Sequence, residues 1–145
     1  MLFAASGPNG THMAIKPGGT GDVTDSHVVW RNDRSTPFVP SALMLGERYY
    51  VADDKGIASC IDALTGKLLW RKRMGGKFTA SPVAADGKLF FTDETGGTIV
   101  LDAGQAEYQE LAHNQIGEDV YASPAISQGR LFVRSTKHLF CIGTK

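Results

Sequence analysis

The stretch ASPVAADGKLFFTDETGGTIVLDAG, Ala80 to Gly104, decides the fold. A Ser-Pro opens a short apolar strand, and Asp86-Gly87 supplies the positive φ of a two-residue hairpin. A second strand, a glycine turn and a third strand ending at Asp102 follow. The same grammar recurs on both sides. PSALMLGERYYV and ASPAISQGRLFV place Ser41 and Ser123 at the position of Ser81, 40 residues before it and 42 after it. ASCIDALTGK matches TIVLDAGQAE at the same offset of 40, which aligns Asp62 with Asp102 and Cys60 with Val100; Cys141 falls at that position in the last unit. Trp30 in HVVWR precedes Trp70 in KLLWR by 40 residues.

A period near 40 with four strands per unit is the mark of a propeller blade. In the second unit the alternation predicts strands at Ser41–Leu45, Arg48–Ala52, Ala58–Asp62 and Leu68–Lys72. Leu2–Ser6, His12–Lys16 and His27–Arg31 supply strands two, three and four of the first unit, whose opening Ser-Pro strand is missing. The third unit has lost its tryptophan, and Tyr108–Ala112 takes that place; the last unit stops after three strands, at Gly143. The expected fold is therefore all-β: a partial propeller of about three-and-a-half antiparallel blades with 3, 4, 4 and 3 strands, filling 1–145. The blades are drawn at 1–34, 35–76, 77–118 and 119–145. The length, 145 residues, fits one domain. A closed ring needs 4 to 8 blades, and an open arc leaves apolar faces and strand edges exposed. Two copies of the chain would close a ring, or the chain is a piece of a longer protein; the start at MLFAAS, which cuts a blade after its first strand, favours the piece.

Composition excludes several function classes. Fifteen basic and fifteen acidic residues create no field for nucleic acid or anionic membrane. The longest apolar runs are far short of the ~20 residues a membrane helix needs, and the first residues do not read as a signal peptide. Cys60 and Cys141 form no CxxC or CxxH pair and read as small buried hydrophobes.

With those motifs in view, the chain resembles bacterial proteins with pyrroloquinoline-quinone-like (PQQ-like) β-propeller repeats, quinoprotein-dehydrogenase-like in fold. The resemblance rests on Ser81-Pro82, Leu89-Phe90-Phe91, Ile61-Asp62-Ala63-Leu64-Thr65-Gly66-Lys67 and Trp70. It is similar more narrowly to the C-terminal half of such proteins through Gly18-Gly19-Thr20-Gly21-Asp22-Val23-Thr24, Leu111-Ala112-His113-Asn114 and His138-Leu139-Phe140-Cys141-Ile142-Gly143. The resemblance implies a periplasmic or cell-envelope location for the full-length protein. It also implies one of two roles: a quinone dehydrogenase or a protein-binding scaffold.

The residues themselves favour the scaffold. Family dehydrogenases hold PQQ with calcium, an Asp base and often a disulfide between adjacent cysteines, and no adjacent pair exists here. Asp53-Asp54 and Asp93-Glu94 recur after strand two and read as solvated turns; Asp62 and Asp102 recur as turn caps. Trp30 and Trp70 read as packing between blades, and Ser41, Ser81 and Ser123 are repeated, unlike a unique nucleophile. His12, His27, His113 and His138 lack metal-ligand spacing. Gly19-Thr-Gly21 is a GxGxxG fragment with neither third glycine nor following helix. The best non-repeated candidate is the loop Lys16–Thr24, with Asp22 and Thr24 as its binding residues. The expectation is a non-catalytic scaffold without a cofactor, whose partners are the remaining blades or a second copy, and a protein or saccharide ligand. The alternative is the C-terminal half of a PQQ-dependent alcohol or sugar dehydrogenase.

Overall fold

The computed structural model describes residues 1–7, 10–34 and 36–143. The blade boundary at 35 and the last two residues of the fourth unit lie outside the described residues. The architecture is a partial β-propeller of four antiparallel sheets with 3, 4, 4 and 3 strands. The first holds β1 (Leu2–Ala5), β2 (His12–Ile15) and β3 (Val28–Asn32), with a single helical turn, α1 (Thr24–His27), before β3. The second runs β4 (Leu43–Leu45), β5 (Arg48–Ala52), β6 (Ile57–Asp62) and β7 (Leu68–Arg73). The third runs β8 (Val83–Ala85), β9 (Lys88–Thr92), β10 (Gly97–Asp102) and β11 (Glu110–Gln115). The fourth holds β12 (Ala125–Ser127), β13 (Arg130–Arg134) and β14 (Leu139–Ile142).

Sequence neighbours pair throughout, and two-residue hairpins join β4 to β5, β8 to β9 and β12 to β13. Asp86 and Gly87 both take positive φ, 47° and 69°, and Gln128 and Gly129 repeat the pattern at 50° and 71°. At the corresponding hairpin of the second blade, Gly46 takes positive φ, 59°, and Glu47 does not. The irregularities repeat as well. The outermost ladder of each of the first three blades shifts register at one equivalent place: Ala14/Ile15, Cys60/Ile61 and Val100/Leu101.

The core lies between the blades. Alternation sends Tyr49, Val51 and Ile61 to one face of the second sheet, where they meet Ala14 and Trp30 of the first. Tyr50, Ala52, Ala58 and Cys60 point to the other face and meet Phe78, Leu89, Phe91, Ile99 and Leu101 of the third. Trp30 is the anchor of the first interface. It is 8% exposed, tilts against Phe3 at 6.1 Å, meets Tyr49 edge-on and donates Nε1–H to the Ala63 carbonyl at 2.9 Å. Gly66 makes room for it. A Cβ there would lie 2.6 Å from the indole, and φ is 74°, so the position needs glycine twice over. Trp70 is only half-buried, packed on Tyr50 and Tyr108. The Ala103 carbonyl, equivalent to that of Ala63, is instead met by Arg48 Nη1 at 2.7 Å and the Tyr50 hydroxyl at 3.2 Å.

Three local expectations are corrected. His27 ends the helical turn instead of opening a strand, so a turn of helix does follow Gly19-Thr-Gly21. The outer strand of the third blade is Glu110–Gln115, which leaves Tyr108 in the loop and puts Ala112 opposite Val100, where the other blades set Trp30 opposite Ala14 and Trp70 opposite Cys60. Cys60 is buried but Cys141 is exposed, because no further sheet covers the outer face of the fourth. Burial pushes the Cys60 thiol up to about 11.

The unequal burial of the two tryptophans makes a direct prediction. Trp30→Ala removes a buried ring and its hydrogen bond and is expected to cost about 3–5 kcal/mol. Trp70→Ala, from a half-exposed site, costs less. Chemical denaturation of both variants checks the order, and equal midpoints would contradict the assigned packing.

Candidate functional site

The repeated polar residues tie backbone to backbone. Ser81 Oγ accepts the Ser41 amide at 2.8 Å, and Ser123 Oγ accepts the Ser81 amide at 2.9 Å, so the serines form a rung from each blade to the next. Among the described residues Ser41 Oγ accepts no such bond, and the Ser123 amide makes none. Asp62 Oδ1 accepts the amides of Leu64 and Thr65 and the Thr65 hydroxyl, and these bonds, the Thr65 hydroxyl first, hold its carboxyl below the usual range. Asp102 Oδ1 accepts the Gly104 amide at 2.7 Å.

The acidic pairs that follow β5 and β9 are not solvated turns. Asp53 is 7% exposed and accepts the amides of Lys55 and Ile57; Asp93 accepts those of Thr95 and Gly97 and the Thr95 hydroxyl. Their neighbours reach outward. Asp54 Oδ1 accepts the Phe38 and Val39 amides, and Glu94 Oε1 accepts the Thr79 hydroxyl. In the fourth blade Ser135 stands where the aspartates stand, and its Oγ accepts the amides of Lys137 and His138. Ser135 also donates to Glu118 Oε2 at 2.5 Å, while Glu118 Oε1 meets His138 Nδ1 at 2.8 Å. The Ser135 bond leads in holding the Glu118 carboxyl below its usual range. Here the carboxylate sits between hydroxyl and imidazole. The serine faces the carboxylate and not the imidazole, so the order serine–histidine–acid of a nucleophilic triad is not reproduced.

The loop expected to bind is a capped turn. Asp22 Oδ1 accepts the Thr24 amide at 3.0 Å, that bond lowers the Asp22 carboxyl, and both residues are exposed. Nothing converges on Asp22 and Thr24 from another blade among the described residues. Nor do those residues hold a group of three or more His, Cys, Asp or Glu side chains able to share a metal ion. The repeated acids Asp53, Asp62, Asp93 and Asp102 are each committed to turn amides.

A groove of about 610 Å³ runs between β1 and the segment leading into β4, lined by Leu2, Phe3, Phe38, Val39, Met44 and Tyr49. β1 holds the register position of β5 and β9, and the first sheet has no counterpart of β4 or β8 beside it. The groove thus lies along the open edge of β1. Sequence reasoning did not find it, although the missing Ser-Pro strand was its signal.

These features define a class: a partial propeller whose repeated side chains serve the joints between blades. The sequence profile of one family, described as outer membrane protein assembly factor BamB, matches residues 21–113. The chain belongs to this family of PQQ-like repeat propellers. It is 29% identical to outer membrane protein assembly factor BamB of Burkholderia pseudomallei over 96 residues, 66% of this chain and 24% of that protein. It is 28% identical to a polyvinylalcohol dehydrogenase of a Pseudomonas species over 102 residues, 63% of this chain and 16% of that enzyme. Among solved structures, BamB from Moraxella catarrhalis superposes with a TM-score of 0.68 at 19% identity, over 88% of this chain and 38% of that one. The chain thus spans about a quarter or less of the curated relatives it matches. No helix among the described residues is long and apolar enough to cross a membrane.

One buried group gives the fold a pH dependence. His12 is fully buried; Nε2 donates to the Arg34 carbonyl at 2.7 Å and Nδ1 has no partner. Desolvation holds its pKa below 6.5, outweighing the Arg34 bond and Asp33. The unfolded chain therefore binds the proton first as pH falls. This stability is fully present above about pH 6.5 and declines below it. Urea unfolding of the wild type against His12→Gln from pH 7.5 to 5.5 should show the midpoint falling only in the wild type; parallel curves would contradict the assignment.

Proposed function

We propose that the chain is a non-catalytic segment of a PQQ-like propeller that acts as a protein-binding scaffold in the bacterial envelope. The observation that carries this reading is the commitment of the repeated polar side chains. Ser81, Ser123, Asp53, Asp62, Asp93 and Asp102 each bind a backbone amide. That leaves rigid loops and a propeller face, which is the equipment of a scaffold. The name of the BamB relatives, outer membrane protein assembly factor, supports the same role.

The first partner is further propeller. A groove of about 610 Å³ lies beside β1, β1 offers an open edge, and among the described residues Ser41 Oγ lacks the amide donor that Ser81 and Ser123 have. An inner strand carrying the equivalent serine, from the remaining blades or a second copy, would satisfy all three. A protein or saccharide ligand would then lie on the loop face of the completed ring.

The dehydrogenase relative supports a second reading, the C-terminal half of a PQQ-dependent alcohol or sugar dehydrogenase, whose quinone and calcium ligands would lie mostly outside this chain. One experiment separates the two. The full-length protein is incubated with PQQ and calcium, then assayed for cofactor absorbance and for dye reduction with alcohols or sugars. In parallel, a deletion strain is scored for folded outer-membrane β-barrel proteins. The scaffold reading expects no dye reduction and fewer folded barrels. Quinone-dependent turnover with unchanged barrels would overturn it.

A further inference from the structure

The joint between the first and second sheets is built differently at its outer end from the joint that follows. Just beyond the outer strand of the second and third blades, one residue gives its amide to a glycine carbonyl: Met74 to Gly56 at 2.8 Å, and Ile116 to Gly96 at 3.3 Å. Met74 is buried and shares a core cluster with Ile99. Arg34 and Ser59 stand 40 residues before those two, so the first joint has a cation and a hydroxyl where the second has apolar side chains. The peptide groups of Arg34 also find other partners. Its amide donates to Asn32 Oδ1 at 2.9 Å, and its carbonyl accepts Nε2–H of the fully buried His12 at 2.7 Å. The backbone of Arg34 is thus held on both sides, and its side chain is exposed. It lines a cleft of about 230 Å³ together with Asn32, Ser59, Ile61, Leu68 and Arg71. Arg71 lies on β7, opposite Ser59 of β6, so the second guanidinium comes from the second sheet.

We propose that this cleft binds a compact dianionic oxyanion, phosphate or sulfate, between the guanidiniums of Arg34 and Arg71. Two cations from different sheets line one small space, and neither side chain has a partner among the described residues. No Asp or Glu is among the described residues that line the cleft; Asp33 follows Asn32 in sequence but is not part of the wall. Guanidinium suits the role because its planar fork meets two oxygens at once. Asn32 adds a donor, since the Arg34 amide engages its Oδ1 and leaves the amide hydrogens of the side chain for a guest. Two like charges that share a site repel until an anion neutralises them, so a dianion is preferred to a monoanion. The cleft is smaller than the ~300 Å³ at which pockets for larger ligands begin, which favours a compact ion. The buried imidazole of His12 gains a purpose as well. A buried polar ring costs stability unless it is hydrogen-bonded, and the bond it makes positions the backbone of an anion-binding residue. The site is independent of the scaffold reading.

Phosphorus NMR of inorganic phosphate, titrated with the full-length protein at constant ionic strength, reads the binding. The phosphate line is expected to broaden as protein is added. Sulfate should reverse the broadening, and chloride at the same ionic strength should not. Arg34→Gln and Arg71→Gln should each weaken phosphate binding about tenfold, and the double variant should return the line close to its width without protein. Both side chains are exposed and hold nothing in the fold, so Tm without phosphate should change no more than for an ordinary surface substitution. Lys77→Gln, an exposed lysine away from the cleft wall, should leave the broadening as it is. Broadening that persists in the double variant, or that Lys77→Gln reduces as much, overturns the site. Displacement by chloride as effective as that by sulfate overturns the preference for a dianion.

Discussion

Each interior sheet of this molecule has two apolar faces that only another sheet can cover. Tyr49, Val51 and Ile61 face one way from the second blade; Tyr50, Ala58 and Cys60 face the other. Helices cover both faces of a sheet in other folds, but the single helical turn described here covers neither, so sheet stacks on sheet. The consequence runs through everything else. Residues that repeat with the blade period are fixed by the joint they serve, and their repetition reports packing before chemistry. The terminal sheets inherit the problem unsolved, as the exposed Leu2, Leu139 and Cys141 record.

The polar repeats answer a second demand of the same geometry. Short strands joined by tight turns leave many amides unpaired in the turns, and buried amides must find acceptors. Asp53 and Asp93 supply them after the second strand, Asp62 and Asp102 after the third. Ser135 does the work of an aspartate at the fourth blade with one oxygen, and the carboxylate it lacks is provided by Glu118. A cluster of serine, glutamate and histidine thus arises from turn chemistry, without any catalytic purpose to explain.

Sequence legibility followed from this division. Strand count, hairpin positions and the family resemblance were all readable, because alternation and Asp-Gly turns are local, and a 40-residue offset shows which residues are equivalent. What equivalence cannot tell is what a residue touches across a joint. Asp53 reads as a solvated acid because charge suggests water, yet the turn folds its amides over it. Cys141 reads like Cys60, but one has a neighbouring sheet and the other does not. The serine rungs were visible only as a period; that each hydroxyl accepts the amide of the preceding blade needed coordinates. Asp22 and Thr24 drew notice by lying in a long loop, and they cap it.

The departures from repetition are therefore the places where function can enter. At the first joint Trp30 is the aromatic anchor, packed against Phe3 and Tyr49. The third blade sets Ala112 at the equivalent register position, opposite Val100, and so departs from the two before it. A second departure is the open edge of β1, where a groove lined by Leu2, Phe3, Phe38 and Met44 stands beside Ser41, whose Oγ accepts no amide among the described residues. The two differ in kind. The groove offers open backbone along an edge and calls for a strand, whereas the joint at Ala112 differs from its predecessors in the side chain it presents.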